Sequence, residues 1–145
     1  MKKVEIFTDG ACKGNPGPGG WGAILRYGTY EKEISGGESS TTNNRMEITA
    51  VLEALKLLKE KCIVTVYSDS QYVCNSINLG WMKKWKSNNW MKNKKEPALN
   101  VDLWKQMDEL LSKHEVSFEW VKGHDGHPEN ERCDRLAVSA CLKFK

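Results

Sequence analysis

The sequence predicts an α/β fold: a mixed sheet with helices on its faces. Three observations lead there. Short strand-like runs crowd the first 34 residues, apolar stripes at helical spacing begin near residue 43, and two further strand-like runs lie between those stripes. The resulting order, βββαβααβα, is that of an antiparallel β-meander followed by parallel core strands reached through helices.

Residues 4–9 (Val-Glu-Ile-Phe-Thr-Asp) form the first strand. Alternation over 21–27 makes a second, and a turn at Gly28-Thr29 leads to a short partner, 30–34, completing a hairpin. Residues 36–42 are turn-rich. A helix follows, N-capped by Asn43 or Asn44, with Met46, Ala50, Val51, Ala54, Leu55 and Leu58 as its apolar stripe. The run 63–68, mostly β-branched and bounded by helices, reads as a buried parallel strand. Asp69 or Ser70 caps a helix to about Leu79, which Gly80 ends. Asn100 caps the next, with Val101, Leu103, Trp104, Met107, Leu110 and Leu111 apolar. Residues 116–121 make the third core strand. After a loop over 122–127, Pro128 stands where prolines start helices, and the last helix carries Cys133, Leu136, Ala137, Ala140 and Cys141 on one side. With no repeats, linkers or low-complexity stretches, a single domain over 1–145 is expected.

Composition narrows the function. Hydrophobic content of 39% and charged content of 28% suit a soluble globular protein. The first residues lack the apolar core of a signal peptide, and no apolar run is long enough to span a membrane. Five cysteines, an odd number with no C-x-x-C pair, argue against a disulfide framework or zinc site and for reduced thiols in the cytoplasm.

Four acids, Asp9, Glu47, Asp69 and Asp134, lie on separate elements that such a fold would turn toward one sheet end, where open α/β sheets bind ligands. Strand-ending aspartates in one crevice repel unless a positive charge lies between them, and hard oxygen ligands favour Mg²⁺ or Mn²⁺. Each acid also has a purely structural reading. Asp69 could be an N-cap, Glu47 could close a capping box with Asn44, Asp134 could answer the helix dipole, and Asp9 before Gly10 could be turn chemistry. Glu47 departs from its bland reading in one respect: it shares the core-facing stripe with Ala50, Val51, Ala54 and Leu58, where a carboxylate needs a partner.

Two motifs fail. Gly17-Pro18-Gly19-Gly20-Trp21-Gly22 matches G-x-G-x-x-G, but a dinucleotide site needs a helix after it and strand-like alternation follows instead; a glycine-rich turn before a hairpin is expected. His124-Asp125-Gly126-His127 lacks the further ligands of a zinc site. His124 nonetheless lies between the third core strand and the Asp134 helix, a position suited to a proton shuttle.

Residues 81–96 hold six lysines and one acid, a local charge of +5 against +3 for the whole chain. Lysines neutralising phosphates give sequence-independent, salt-dependent affinity, and interleaved tryptophans can stack on bases. The structural alternative has Trp81, Trp85 and Trp90 packing a short helix onto the domain while the lysines solvate its outer face. Both readings can hold together. Nucleic acid is preferred to an anionic membrane because there is no long amphipathic face.

The chain resembles type 1, bacterial-like ribonuclease H. The stretches that carry the resemblance are Phe7-Thr8-Asp9-Gly10-Ala11-Cys12-Lys13-Gly14-Asn15-Pro16-Gly17-Pro18-Gly19-Gly20, Thr41-Thr42-Asn43-Asn44-Arg45-Met46-Glu47, Ser68-Asp69-Ser70-Gln71-Tyr72-Val73 and Val121-Lys122-Gly123-His124-Asp125-Gly126-His127-Pro128-Glu129-Asn130-Glu131-Arg132-Cys133-Asp134. They run in family order along nearly the whole chain. The resemblance implies a five-stranded ribonuclease H-like sheet and a monomeric endonuclease that cleaves the RNA strand of an RNA–DNA hybrid. The ends left are 5′-phosphate and 3′-hydroxyl, made with two Mg²⁺ ions for which Mn²⁺ substitutes. It gives metal ligation to Asp9, Glu47, Asp69 and Asp134, with Asp9 shared by both ions, and a proton relay to His124. The Gly10 and Cys12 backbone with Asn43, Asn44 and Gln71 would read 2′-hydroxyls or minor-groove edges. Thr42 and Asn15 would lie near the DNA strand, and Trp81, Lys83, Lys84, Trp85 and Lys86 would belong to a basic protrusion over about 80–99 that grips it.

Departures from the family pattern are Ser40, where some relatives carry arginine, Leu99, often basic in relatives, and Asp125 beside His124. No N-terminal hybrid-binding module is expected before Lys2. Two rivals remain. A strand-transfer enzyme on the same fold would act on all-DNA duplex, and a non-catalytic hybrid-binding module would lack one of the four acids, all of which are present.

Overall fold

The computed structural model describes residues 1–122 and 127–144. Its five strands are β1 (Lys2–Cys12), β2 (Gly17–Tyr27), β3 (Tyr30–Thr41), β4 (Cys62–Ser68) and β5 (Glu115–Trp120). The helices are α1 (Asn43–Lys56), α2 (Gln71–Asn78), α3 (Trp81–Ser87), α4 (Val101–Leu111) and α5 (Pro128–Lys143). The sheet runs β3-β2-β1-β4-β5, antiparallel across β1–β2 and β2–β3 and parallel across β1–β4 and β4–β5. The expected five-stranded mixed sheet, meander plus parallel core strands, is the one observed.

Alternate residues of the central strands feed two cores. Ile6, Ala23, Leu25, Val64 and Val66 pack with α1, α2 and α4, the larger cluster, around the fully buried Trp104. Phe7 and Ile24, of opposite parity, pack with Cys133 of α5. β4, expected as a fully buried strand, is covered completely on one side only: Cys62, Val64, Val66 and Ser68 are buried, whereas Ile63, Thr65 and Tyr67 are half-buried and border a surface cavity. Gly80, at φ +77, takes the left-handed turn that separates α2 from α3.

Local signals misplaced several boundaries. β1 does not end at Asp9 but continues to Cys12, pairing with β2 as far as Gly19. The turn-rich stretch after residue 34 is instead the second half of β3, with Gly36 and Gly37 opposite Trp21 and Gly20. The glycine-rich segment that should have been a turn is the start of β2. Its glycines serve a close approach: a Cβ on Gly20 would sit 2.2 Å from the Ala137 carbonyl oxygen of α5. Glycine there signals a helix packed onto a strand. Thr42, rather than Asn43 or Asn44, caps α1 by accepting from Arg45 N at 3.2 Å. Asn100 does precede α4, but at φ 60 and without a side-chain cap bond; its Nδ2 donates to Tyr72 Oη and its Oδ1 accepts from Arg45. The buried stripe of α1 is also wider than expected, adding Ile48 and Leu52. None of the described helices is long and apolar enough to cross a membrane, and all five cysteines are free thiols.

Candidate active site

Asp9, Glu47 and Asp69 come from β1, α1 and the link between β4 and α2. Each offers a carboxylate oxygen within 4.8 Å of those of the other two. Asp134, on α5, lies outside that trio but lines the same 370 Å³ cavity. Gly10, Asn43, Asn44, Gln71 and Tyr72 complete the cavity wall. Four acids distant in sequence therefore meet at one place.

The structural alternatives for these acids fall away one by one. Asp9 sits inside a strand, not a turn. Glu47 lies in the second turn of α1, beyond any capping box, and Glu47 Oε1 accepts from the Gly10 amide. A Cβ on Gly10 would stand 2.6 Å from the Glu47 amide nitrogen, so only glycine lets β1 and α1 approach this closely. Ser70, not Asp69, caps α2 by accepting from Val73 N at 3.1 Å. Asp134 is the seventh residue of α5, and Glu129 and Glu131 occupy the first turn where the dipole acts.

The electrostatics follow from crowding. Burial, chiefly, pushes the Asp9 carboxyl up to about 8, with the neighbouring Asp69 charge adding to it. Burial also raises Glu47 well above the ordinary carboxylate range, and the Asp9 charge raises it further. With both groups ionised, no donor among the described residues reaches Glu47 Oε2, a buried acceptor. An orphaned carboxylate oxygen facing two others is the setting a hard cation satisfies, so the donor set fits a divalent metal.

The remaining expected residues divide between two other cavities. Asn15, Thr42, Asn43 and Asn44 line one of 240 Å³ together with Leu99 and Asn100, and Asn15 Oδ1 accepts from Asn43 N. Trp81, Lys84 and Trp85 line another, of 520 Å³, with Tyr72, Met91 and Leu99. Trp85 and Trp90 pack against the main core as the structural alternative required, whereas Trp81 stays 38% exposed. Lys83 is exposed on α3, and Lys86 is engaged by Asp108 at 2.8 Å. The Cys12 thiol donates to the Gly17 and Thr41 carbonyls at the strand end, away from the carboxylates. His124 and Asp125 lie outside the described residues.

Sequence reasoning missed Tyr72, whose hydroxyl accepts from both Trp104 Nε1 and Asn100 Nδ2 and whose ring borders two of the cavities. Its place directly after Asp69-Ser70-Gln71 was the available signal.

Fold and site together define an α/β enzyme with a carboxylate cluster able to hold a metal ion, beside the amide side chains of Asn43, Asn44 and Gln71. A family model described as RNase H matches residues 1–142, and the chain belongs to the ribonuclease H family, which is metal-dependent. It is 59% identical over 140 residues to the Ribonuclease H of Desulforamulus reducens, covering 97% of this chain and 88% of that protein. It is 56% identical over 141 residues to the Ribonuclease HI of Neisseria meningitidis serogroup B, covering 97% of each. Among solved structures, LC9-RNase H1, a type 1 RNase H with the type 2 active-site motif, superposes with a TM-score of 0.88 at 29% identity, over 100% of this chain and 74% of that one.

Proposed function

We propose that this protein is an endoribonuclease hydrolysing the RNA strand of RNA–DNA hybrids, with 5′-phosphate and 3′-hydroxyl products. The carboxylate trio with its orphaned Glu47 oxygen is the observation that carries the reading. Oxygen-only ligands favour Mg²⁺, with Mn²⁺ as a substitute, and four acids around one cavity suit two ions. Asp9, Glu47, Asp69 and Asp134 would hold them. When bound, such ions acidify an attacking water and offset charge on the departing 3′ oxygen.

The chain's own groups supply binding and alignment. The Gly10 amide pins Glu47 against β1. Gly10, Asn43, Asn44 and Gln71 present polar groups at the cavity rim, and these, with the Cys12 backbone, would read the 2′-hydroxyls that mark the RNA strand. Asn15 and Thr42 would hold a phosphate of the DNA strand, with Trp81, Lys83, Lys84, Trp85 and Lys86 farther along it. His124 would relay a proton at its imidazole. We further infer one catalytic domain over 1–145 with its basic appendage at about 80–99, acting as a monomer in the cytoplasm, where five free thiols stay reduced.

The test is cleavage of an end-labelled hybrid with Mg²⁺ beside single-stranded RNA, double-stranded RNA and duplex DNA. Hybrid-only cutting, lost with chelator, is expected. Tight binding of the hybrid without cutting in either Mg²⁺ or Mn²⁺ would leave only a binding module.

A further inference from the structure

Trp120, the last residue of β5, is 46% exposed, so burial alone gives its ring a modest reason to stay put. Its one polar atom is nevertheless committed: the indole Nε1–H donates to the Asp69 carbonyl oxygen at 3.1 Å. That carbonyl belongs to the two-residue link between Ser68, where β4 ends, and Gln71, where α2 begins. The link is otherwise tied at both ends: Val121 N donates to Ser68 O at 2.9 Å and Ser70 N to Ser68 Oγ at 3.0 Å, while Ser70 accepts from Val73 N and Cys74 N of α2, which leaves the Asp69 peptide between the two ties. Trp120 lies opposite Ser68 in the β4–β5 register, so its side chain carries the inter-strand hydrogen bonding one residue beyond the end of the strand.

Asp69 is where such a tie matters. Of the trio it is the least buried, and it is the one standing on non-repetitive backbone. Once Asp9 and Glu47 are ionised, as metal ligation requires, their repulsion favours its outward swing, and rotating the peptide that follows it would permit that motion. We propose that Trp120 is a positioning residue for the metal site: its indole N–H locks the Asp69 peptide so that the carboxylate stays turned toward Asp9 and Glu47. This rests on the assignment of Asp69 to the metal site. Partners that orient a ligand without touching the metal have large effects in other sites.

Trp120→Phe keeps an aromatic ring and removes the donor. Calorimetric titration of the metal-free variant with Mg²⁺ should show an affinity about tenfold weaker than the parent protein's. Kinetics on the hybrid should show kcat reduced with KM unchanged, and the melting temperature of the metal-free protein should stay close to the parent's. Trp120→Leu, which also lacks the donor, gives the same comparison if the phenylalanine variant folds poorly. Unchanged Mg²⁺ affinity and kcat would overturn the proposal, as would a rise in KM alone, which would make the ring a substrate contact. Asp69→Asn is titrated alongside. If it loses Mg²⁺ affinity while Trp120→Phe does not, positioning fails and the site stands. If Asp69→Asn binds Mg²⁺ as the parent does, the site assignment itself is wrong.

Discussion

The carboxylate cavity and the basic segment after α2 handle charge in opposite ways. Asp9 and Glu47 are 5% and 3% exposed, like charges forced together in low dielectric by β1 and α1. The lysines at 83, 84, 92, 94 and 95 stand in solvent on a short helix and the turn after it, and Trp85 and Trp90 do the packing beneath them. Buried like charges cost folding free energy and are specific in position, whereas solvated lysines cost little and act at a distance that salt shortens. The first arrangement is suited to chemistry at a point, the second to holding a polyanion without reading it.

Four changes would break or sharpen that contrast. The largest effect belongs to Glu47→Gln, which keeps the shape and removes the charge. Hybrid cleavage should fall by more than the roughly 10–100-fold typical of residues that merely orient a metal ligand. Single-turnover kinetics with saturating enzyme would check this, and near-normal rates would remove Glu47 from the chemistry.

Next is the stability cost of the buried acids. Folding raises the Asp9 carboxyl to about 8, so the folded protein keeps a proton that the unfolded chain has already released at neutral pH. Its contribution to stability is therefore full below the ordinary carboxylate range and is lost as pH rises through about 8. Asp9→Asn should stabilise the metal-free protein by about 2 kcal/mol at neutral pH, and by less in acid. Denaturant melts in chelator across the pH range measure this, and a gap that does not narrow in acid would contradict it.

Removing exposed lysines should act differently. Lys83→Ala with Lys84→Ala should leave kcat on the hybrid intact and weaken binding by roughly tenfold. The salt slope of log affinity should drop by about 0.9 for each phosphate that these lysines no longer neutralise. A reduced kcat would mean that the segment does more than hold. The smallest effect is expected at Arg132, whose guanidinium ties α5 to Glu31 and Glu33 of β3 at 3.1 and 2.6 Å. Because these pairs are partly solvated, Arg132→Ala should cost about 1 kcal/mol or less by denaturant melting.

Features that depend on near neighbours were legible in the sequence. The apolar period of α1 and α4, the β-branched run of β4, Pro128 at the start of α5 and Gly80 after α2 each act through residues within a turn or two, so periodicity and capping chemistry suffice to find them. The four acids were legible as candidates because the local pattern set each beside an apparent strand end or in an early helical turn, although Asp9 lies inside β1 and Asp134 is the seventh residue of α5. Whether Glu47 closes a cap or faces Asp9, and whether Asp69 or Ser70 caps α2, were not. Both alternatives satisfy the same local spacing, and only the packing of β1 against α1 and the route of the chain out of β4 choose between them. The extent of β3 across Gly36 and Gly37 and the use of Gly20 to seat α5 likewise depend on partners far away in sequence. The bond from Trp120 to the Asp69 carbonyl joins residues 51 positions apart, and no spacing announces it. Sequence by itself determined most of the elements, though its order βββαβααβα lacked the short α3, and which side chains are able to carry the chemistry. Tertiary structure alone decided which of those side chains meet, because burial, repulsion and hydrogen-bond satisfaction act only once distant strands and helices are side by side.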